Sequence, residues 1–155
     1  MHSLYNMPVS TKFLTSCKEC KAFCCTIVIP LVTEQERKKI LKAGFEDYFK
    51  DTGNGIYEIT GGKNKACPYL QKDYTCKIQS FKPELCKIWP IIPRIKNNKR
   101  SFIVVKCPIY SFLSNKEIIL AKKEAETIPH TIIAHIWNIS EEMKNKYKQF
   151  EYEKK

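Results

Sequence analysis

A chain of 155 residues with 43% apolar and 28% charged residues is long enough for one folded domain, and its apolar fraction falls just short of the usual globular range. Its 27 Lys and Arg against 16 Asp and Glu give a formal charge of +11. No apolar run approaches the roughly 18 residues of a helical membrane span, which excludes one from the expected elements. The first residues, Met1-His2-Ser3-Leu4-Tyr5-Asn6-Met7-Pro8, lack the basic and apolar regions of a secretory signal. The expected compartment is therefore the cytoplasm, and eight cysteines there favour metal over disulfides.

In chain order, residues 1–16 read as a polar, irregular arm, residues 17–108 as a cysteine-cluster metal-binding domain, and residues 109–155 as a helical extension packed on it. Cys17, Cys20, Cys24 and Cys25 stand within nine residues. Cys17 and Cys20 have the spacing by which a tight turn offers two sulfurs to one metal. Vicinal Cys24 and Cys25 diverge in extended backbone, so they suit two sites better than one. Next, Thr26–Pro30 is short and β-branched, which predicts an extended segment or strand. Thr33 and Glu36 fit a capping box, and Gly44 a helix end, so the pattern predicts a helix over about 34–43. Phe45 to Phe49 is expected to continue as a helical turn. Asp51–Gly55 reads as a turn and Ile56–Thr60 as a strand. Gly61-Gly62-Lys63 lacks the spacing of a phosphate loop and reads as a turn.

The remaining cysteines, Cys67, Cys76, Cys86 and Cys107, stand nine to twenty-one residues apart. Pro83 and Pro90 bracket a short helical turn or an irregular loop around Cys86. Ile91–Lys96 and Ser101–Lys106 flank the polar turn Asn97–Arg100, which predicts a β-hairpin whose first strand Pro93 confines to an edge. Ser114 and Glu117 fit a second capping box, for a helix over about 115–126. From Pro129 onward, Ile132, Ile136, Ile139, Met143, Tyr147 and Phe150 recur at helical spacing, predicting one long amphipathic helix that covers the core or offers a face to a protein partner. The fold class expected is α+β: a small cysteine-rich, metal-stabilised domain with a β-hairpin and C-terminal helices.

Charge and sulfur coincide. Residues 1–107 hold 19 basic and 9 acidic side chains and all eight cysteines, whereas residues 108–155 hold 8 and 7. Lys18, Lys21, Lys77, Lys87 and Lys106 favour thiolate over thiol. Eight sulfurs divide into two sets of four, and either zinc or a [4Fe–4S] cluster accepts four thiolates. One arrangement puts Cys17, Cys20 and Cys24 at three corners of a cluster and Cys25 in a second site. The close crowding of the first four, and the lack of a second C-x2-C pair, favour an iron–sulfur cluster over zinc. His130 and His135, five apart on one helix, are read as surface or packing residues, as is His2.

The ordered cysteines resemble the CxxCxxCC family of zinc- or iron-chelating, YkgJ-like cysteine-cluster proteins. The matching residues are Cys17, Cys20, Cys24 and Cys25, Cys67-Pro68-Tyr69-Leu70, Cys76-Lys77-Ile78, Pro83-Glu84-Leu85-Cys86-Lys87 with Trp89-Pro90, and Cys107. Here three residues separate Cys20 from Cys24 where the family's name has two, and Lys82 and Lys87 stand where arginines are common. The resemblance implies chelation by Cys17, Cys20, Cys24, Cys25, Cys67, Cys76, Cys86 and Cys107, with iron as an iron–sulfur cluster or zinc as cofactor. A redox or electron-transfer role follows from the first. Some relatives carry a flagellin lysine N-methylase assignment, but this chain has five glycines and no glycine-rich nucleotide loop. A zinc-type nucleic-acid module is the other alternative, and no aromatic-plus-basic motif supports it. The carboxylates are scattered and no serine has an evident base, so the sequence assigns no reaction.

Overall fold

The computed structural model describes Ala22, Cys25 and residues 29–62, 66–105, 110, 113–137 and 151–154. Strand β1 (Leu31–Thr33) runs directly into helix α1 (Glu34–Lys42), followed by β2 (Phe49–Asp51) and β3 (Ile56–Ile59). A 3-10 turn (Gln79–Phe81) and the single-turn helix α2 (Glu84–Lys87) lead to β4 (Ile91–Lys96) and β5 (Lys99–Val105). Helices α3 (Asn115–Ala125) and α4 (His130–Trp137) precede a last strand, β6 (Glu151–Lys154). Strands and helices form a small α+β protein with C-terminal helices. The strands make two antiparallel three-stranded sheets, in the orders β1-β3-β2 and β4-β5-β6.

Both capping boxes form. The Thr33 hydroxyl accepts from the Glu36 N–H while Glu36 Oε2 accepts from the Thr33 N–H at 2.8 Å. Ser114 and Glu117 make the same reciprocal pair at the start of α3. Each box satisfies two of the N–H groups a helix start leaves without partners. Gly44, at φ +92°, ends α1 in the left-handed region that glycine enters without a Cβ penalty.

Three local expectations change. The predicted strand at Thr26–Pro30 is displaced: residues 26–28 lie outside the described residues, Ile29 and Pro30 are not strand, and β1 begins at Leu31. Proline has no N–H for the ladder, and Pro30 contributes only its carbonyl, which accepts from the Ile59 N–H at 3.0 Å. Residues 45–48 are irregular rather than helical, and Phe49 enters β2 opposite Ile59. The helix from Pro129 is described as far as Trp137; Ile139, Met143, Tyr147 and Phe150 lie outside the described residues, and Glu151–Lys154 are strand. The outer side of β5 needs partners for its N–H and C=O groups, and β6 supplies them.

The hairpin forms with a two-residue turn. Asn97 and Asn98 take φ +52° and +58°, the double left-handed turn whose twist matches antiparallel strands. Pro93 lies in β4, an edge strand.

Two hydrophobic cores share the first sheet. Leu31 and Ile56 join Ile88, Ile91, Ile92, Ile103, Val104, Ala121, Ala125, Ile128, Ile132, Ile133 and Ile136 on one side. Val32 and Ile59 join Ile40, Tyr69 and Ile78 on the other. Alternation of side chains along a strand sends Leu31 and Val32 into different cores. On the α4 side of the sheet, His135 Nε2 lies 3.1 Å from Glu58 Oε1.

Arg100 fastens the hairpin to the helices. Its guanidinium Nη1 donates to the carbonyls of Ala125 (3.1 Å), Glu126 (2.6 Å) and Ile128 (2.9 Å), at and just beyond the end of α3. Replacing Arg100 by Ala should lower unfolding free energy by about 2 kcal/mol, read from chemical denaturation, with Arg100→Lys recovering only part because the ammonium ends a shorter side chain and is more strongly hydrated than a guanidinium.

Candidate metal centre

Four of the eight cysteines lie among the described residues, and each comes from its own segment. The Cys25 N–H donates to the Ala22 carbonyl at 2.9 Å, and its carbonyl accepts from the Cys67 N–H at 2.8 Å. That bond fixes the end of the first cysteine stretch to the start of the second. Cys67 opens the turn Pro68–Tyr69, and the Leu70 N–H returns to its carbonyl at 3.0 Å. Leu70 bridges to Cys76, closing a small loop, and the Lys77 N–H donates to the Tyr69 carbonyl at 2.8 Å. Cys86 sits in α2, where its N–H donates to the Pro83 carbonyl at 2.9 Å. Cys67, Cys76 and Cys86 are thiols without disulfide bonds.

The approach of Cys67 depends on Gly62. A Cβ there would run into the carbonyl of Ala66 and crowd the nitrogen of Pro68. The glycine read from sequence as a plain turn residue therefore lets two stretches of backbone meet just before the sulfur. Gly62→Ala should displace the 66–68 backbone and lower both thermal stability and bound metal, measured by calorimetry and elemental analysis. Gly61→Ala meets only the Tyr48 ring at 3.8 Å; it strains its own φ of +99° but should leave the metal content of the folded protein intact.

The sulfurs share an electrostatic neighbourhood. Burial pushes the Cys67 thiol up to about 11, and charge on Cys25 or Cys76 raises it further. Burial also raises Cys76, with Cys25 adding to it, and raises Cys86, to which Cys25, Cys67 and Cys76 all contribute. Two kinds of group oppose this. The backbone N–H groups of Tyr69 and Leu70 favour the charged form of Cys67 and that of Ile78 the charged form of Cys76, and Lys82 favours the charged forms of Cys76 and Cys86. Hydrogen bonds from N–H stabilise thiolate over thiol. At both Cys67 and Cys76 a donor comes from two residues further on, so the turn that presents each sulfur also solvates it. Buried thiols with such donors are costly to ionise alone and suited to ionising against a cation.

Cys17, Cys20, Cys24 and Cys107 lie outside the described residues. Among those described, no three His, Cys, Asp or Glu side chains stand as a ready-made ligand set for one ion. His130 is exposed, and His135 is engaged with Glu58 rather than with a cysteine.

The family model of the CxxCxxCC domain, described as "Putative zinc- or iron-chelating domain", matches residues 16–124. The chain belongs to the CxxCxxCC family. No curated protein and no solved structure matches it. The match includes all eight cysteines and extends through α3 almost to its end. Zinc- or iron-chelation is thus the property the chain shares with the CxxCxxCC domain, and the described part of the site offers sulfur for it.

Sequence reading missed three contributors to this region: Gly62, the Lys82 charge, and Glu36, whose second oxygen Oε1 accepts from the Glu84 N–H at 2.8 Å. Glu36 was visible only as a capping residue, because its other partner is 48 positions away.

Tyr69, in the turn that Cys67 opens, is buried to 1% exposure, with its hydroxyl donating to the Glu46 carbonyl at 2.5 Å. Burial pushes it up to about 12 from the ordinary 10.0. Its folded value exceeds its unfolded one, so this contribution to stability is full below pH 10 and is lost as pH rises toward 12. An alkaline titration followed by circular dichroism should show unfolding in that window, and Tyr69→Phe should flatten the slope while lowering the neutral-pH plateau.

Proposed function

We propose that this protein holds iron as an iron–sulfur cluster on thiolates drawn from Cys17, Cys20, Cys24, Cys25, Cys67, Cys76, Cys86 and Cys107, and serves in electron transfer or redox sensing. The observation that supports this most is the 2.8 Å bond from the Cys67 N–H to the Cys25 carbonyl, which joins the first cysteine stretch to the second, together with the Leu70–Cys76 bridge that closes the loop between Cys67 and Cys76. The four described cysteines arrive from separate segments of the chain, Cys25 and Cys86 from helical residues and Cys76 from a β-bridge. Paired zinc knuckles instead draw their sulfurs two by two from closely spaced sequence. When bound, a cluster supplies one-electron chemistry at a potential set by hydrogen bonds to sulfur, net charge and solvent exposure.

The chain's own residues fit that use. The backbone N–H groups of Tyr69, Leu70 and Ile78 lower the cost of negative charge on the Cys67 and Cys76 sulfurs. Lys82 offsets that charge from outside. The second core, against which Cys67 and Cys76 pack, keeps water from part of the set. Thiols rather than disulfides at Cys67, Cys76 and Cys86 suit a reducing compartment such as the cytoplasm.

Protein prepared without oxygen should be brown, with iron and acid-labile sulfide in comparable amounts. Chelation should lower its thermal midpoint, because binding to the folded state is linked to folding. A colourless anaerobic protein carrying about two zinc ions and no sulfide would replace the redox reading with a structural zinc one. Absence of both metals, with a midpoint indifferent to chelator, would overturn thiolate chelation altogether.

A further inference from the structure

Cys86 differs from Cys67 and Cys76 in what supports it. Cys67 and Cys76 pack against the core of Val32, Ile40, Ile59, Tyr69 and Ile78. Cys86 lies on α2, whose neighbours Leu85, Ile88 and Trp89 belong to the other core. The thiol set thus straddles a seam between two cores, and something must hold α2 in register with α1 across it.

Glu36 is placed to do so. Its Oε2 accepts from the Thr33 N–H at 2.8 Å and from the Thr33 hydroxyl at 3.2 Å, closing the start of α1. Its Oε1 accepts from the Glu84 N–H at 2.8 Å, the first helical residue of α2. Pro83, buried just before, has no N–H to offer, so Glu84 provides the first main-chain donor of that turn. Both oxygens of one half-buried carboxylate are therefore bonded to helix starts in two parts of the chain. Carboxylate acceptors of backbone N–H at helix starts make short, charge-assisted bonds. A four-residue helix cannot hold its own position by propensity, since nucleation is unfavourable and the turn is too short to recover the cost.

We infer that Glu36 is a positioning residue for the metal centre: by holding the Glu84 N–H against the start of α1, it sets the Pro83–Lys87 turn that carries Cys86. The role at the metal rests on the reading proposed above, whereas the placement of Cys86 has a readout that needs no metal. Groups that orient ligands from behind commonly change metal affinity by about 10–100-fold when removed.

Three single variants of the full chain separate positioning from capping. Glu36→Ala removes both bonds. Glu36→Gln keeps an acceptor oxygen, and Thr33→Ala removes the α1 cap hydroxyl while the Glu36–Glu84 bond survives. Metal affinity is measured by chelator competition, and access to Cys86 by maleimide labelling and mass spectrometry on chelated, folded protein, with Cys67 as internal standard. Glu36→Ala should weaken affinity by about ten-fold or more and raise the Cys86 labelling rate relative to Cys67. Glu36→Gln should recover part of both, and Thr33→Ala should lower the thermal midpoint while leaving both near the parent values. Unchanged Cys86 labelling in Glu36→Ala would overturn the inference, as would Thr33→Ala matching Glu36→Ala in both readouts. A parent protein that binds no metal would overturn the chelation reading instead, and the labelling comparison would still decide the placement of Cys86.

Discussion

The architecture depends on a strand of three residues with both faces covered. Leu31 and Val32 are adjacent in sequence and buried in different cores, because successive side chains of a strand point to opposite sides. Ile56 and Ile59 on β3 divide in the same way, so the first sheet is a partition rather than an outer wall. One side is completed by the hairpin β4–β5 with α3 and α4, the other by α1, Tyr69 and Ile78. Neither core is large. The helices beyond residue 110 and the cysteine-bearing segments consequently share one folded body.

That division explains where sulfur sits. Cys67 and Cys76 belong to turns that pack on one core, and Cys86 to a turn whose apolar neighbours enter the other. On the proposed ligand set, a metal bonded to thiolates from both sides would act as a cross-link between cores, which is how metal binding adds to folding free energy in a small domain. Glu36 does the same work with hydrogen bonds, one oxygen on each helix start.

Charge suits the same task. A chain of formal charge +11 tolerates negative thiolates better than a neutral one, but the local arrangement matters more than the total. Lys82 and the N–H groups of Tyr69, Leu70 and Ile78 act on particular sulfurs at close range, where solvent screens them least. Burial opposes them and keeps the metal-free sulfurs as thiols. The balance favours ionisation when a cation arrives.

Local signals determined the parts of this protein that need only neighbours. Thr33 with Glu36, and Ser114 with Glu117, announced two helix starts because a capping box spans three residues. Asn97-Asn98 announced the hairpin turn, since asparagine tolerates positive φ. The ordered cysteines announced a thiol-rich chelating domain, and the family match agrees with that. What the sequence could not decide was set by partners far away along the chain. Phe49 became strand because Ile59 stood opposite it, and Glu151–Lys154 became strand because β5 had an edge to fill. Gly62 matters for the backbone at Ala66, and Glu36 for the amide of Glu84, 48 positions on. Pattern along a chain reports which faces are apolar and which ends are capped; it carries no term for the distance between segments. Only the folded chain, by bringing Cys25 to Cys67 and α2 to α1, decided which cysteine-bearing segments meet and what holds them.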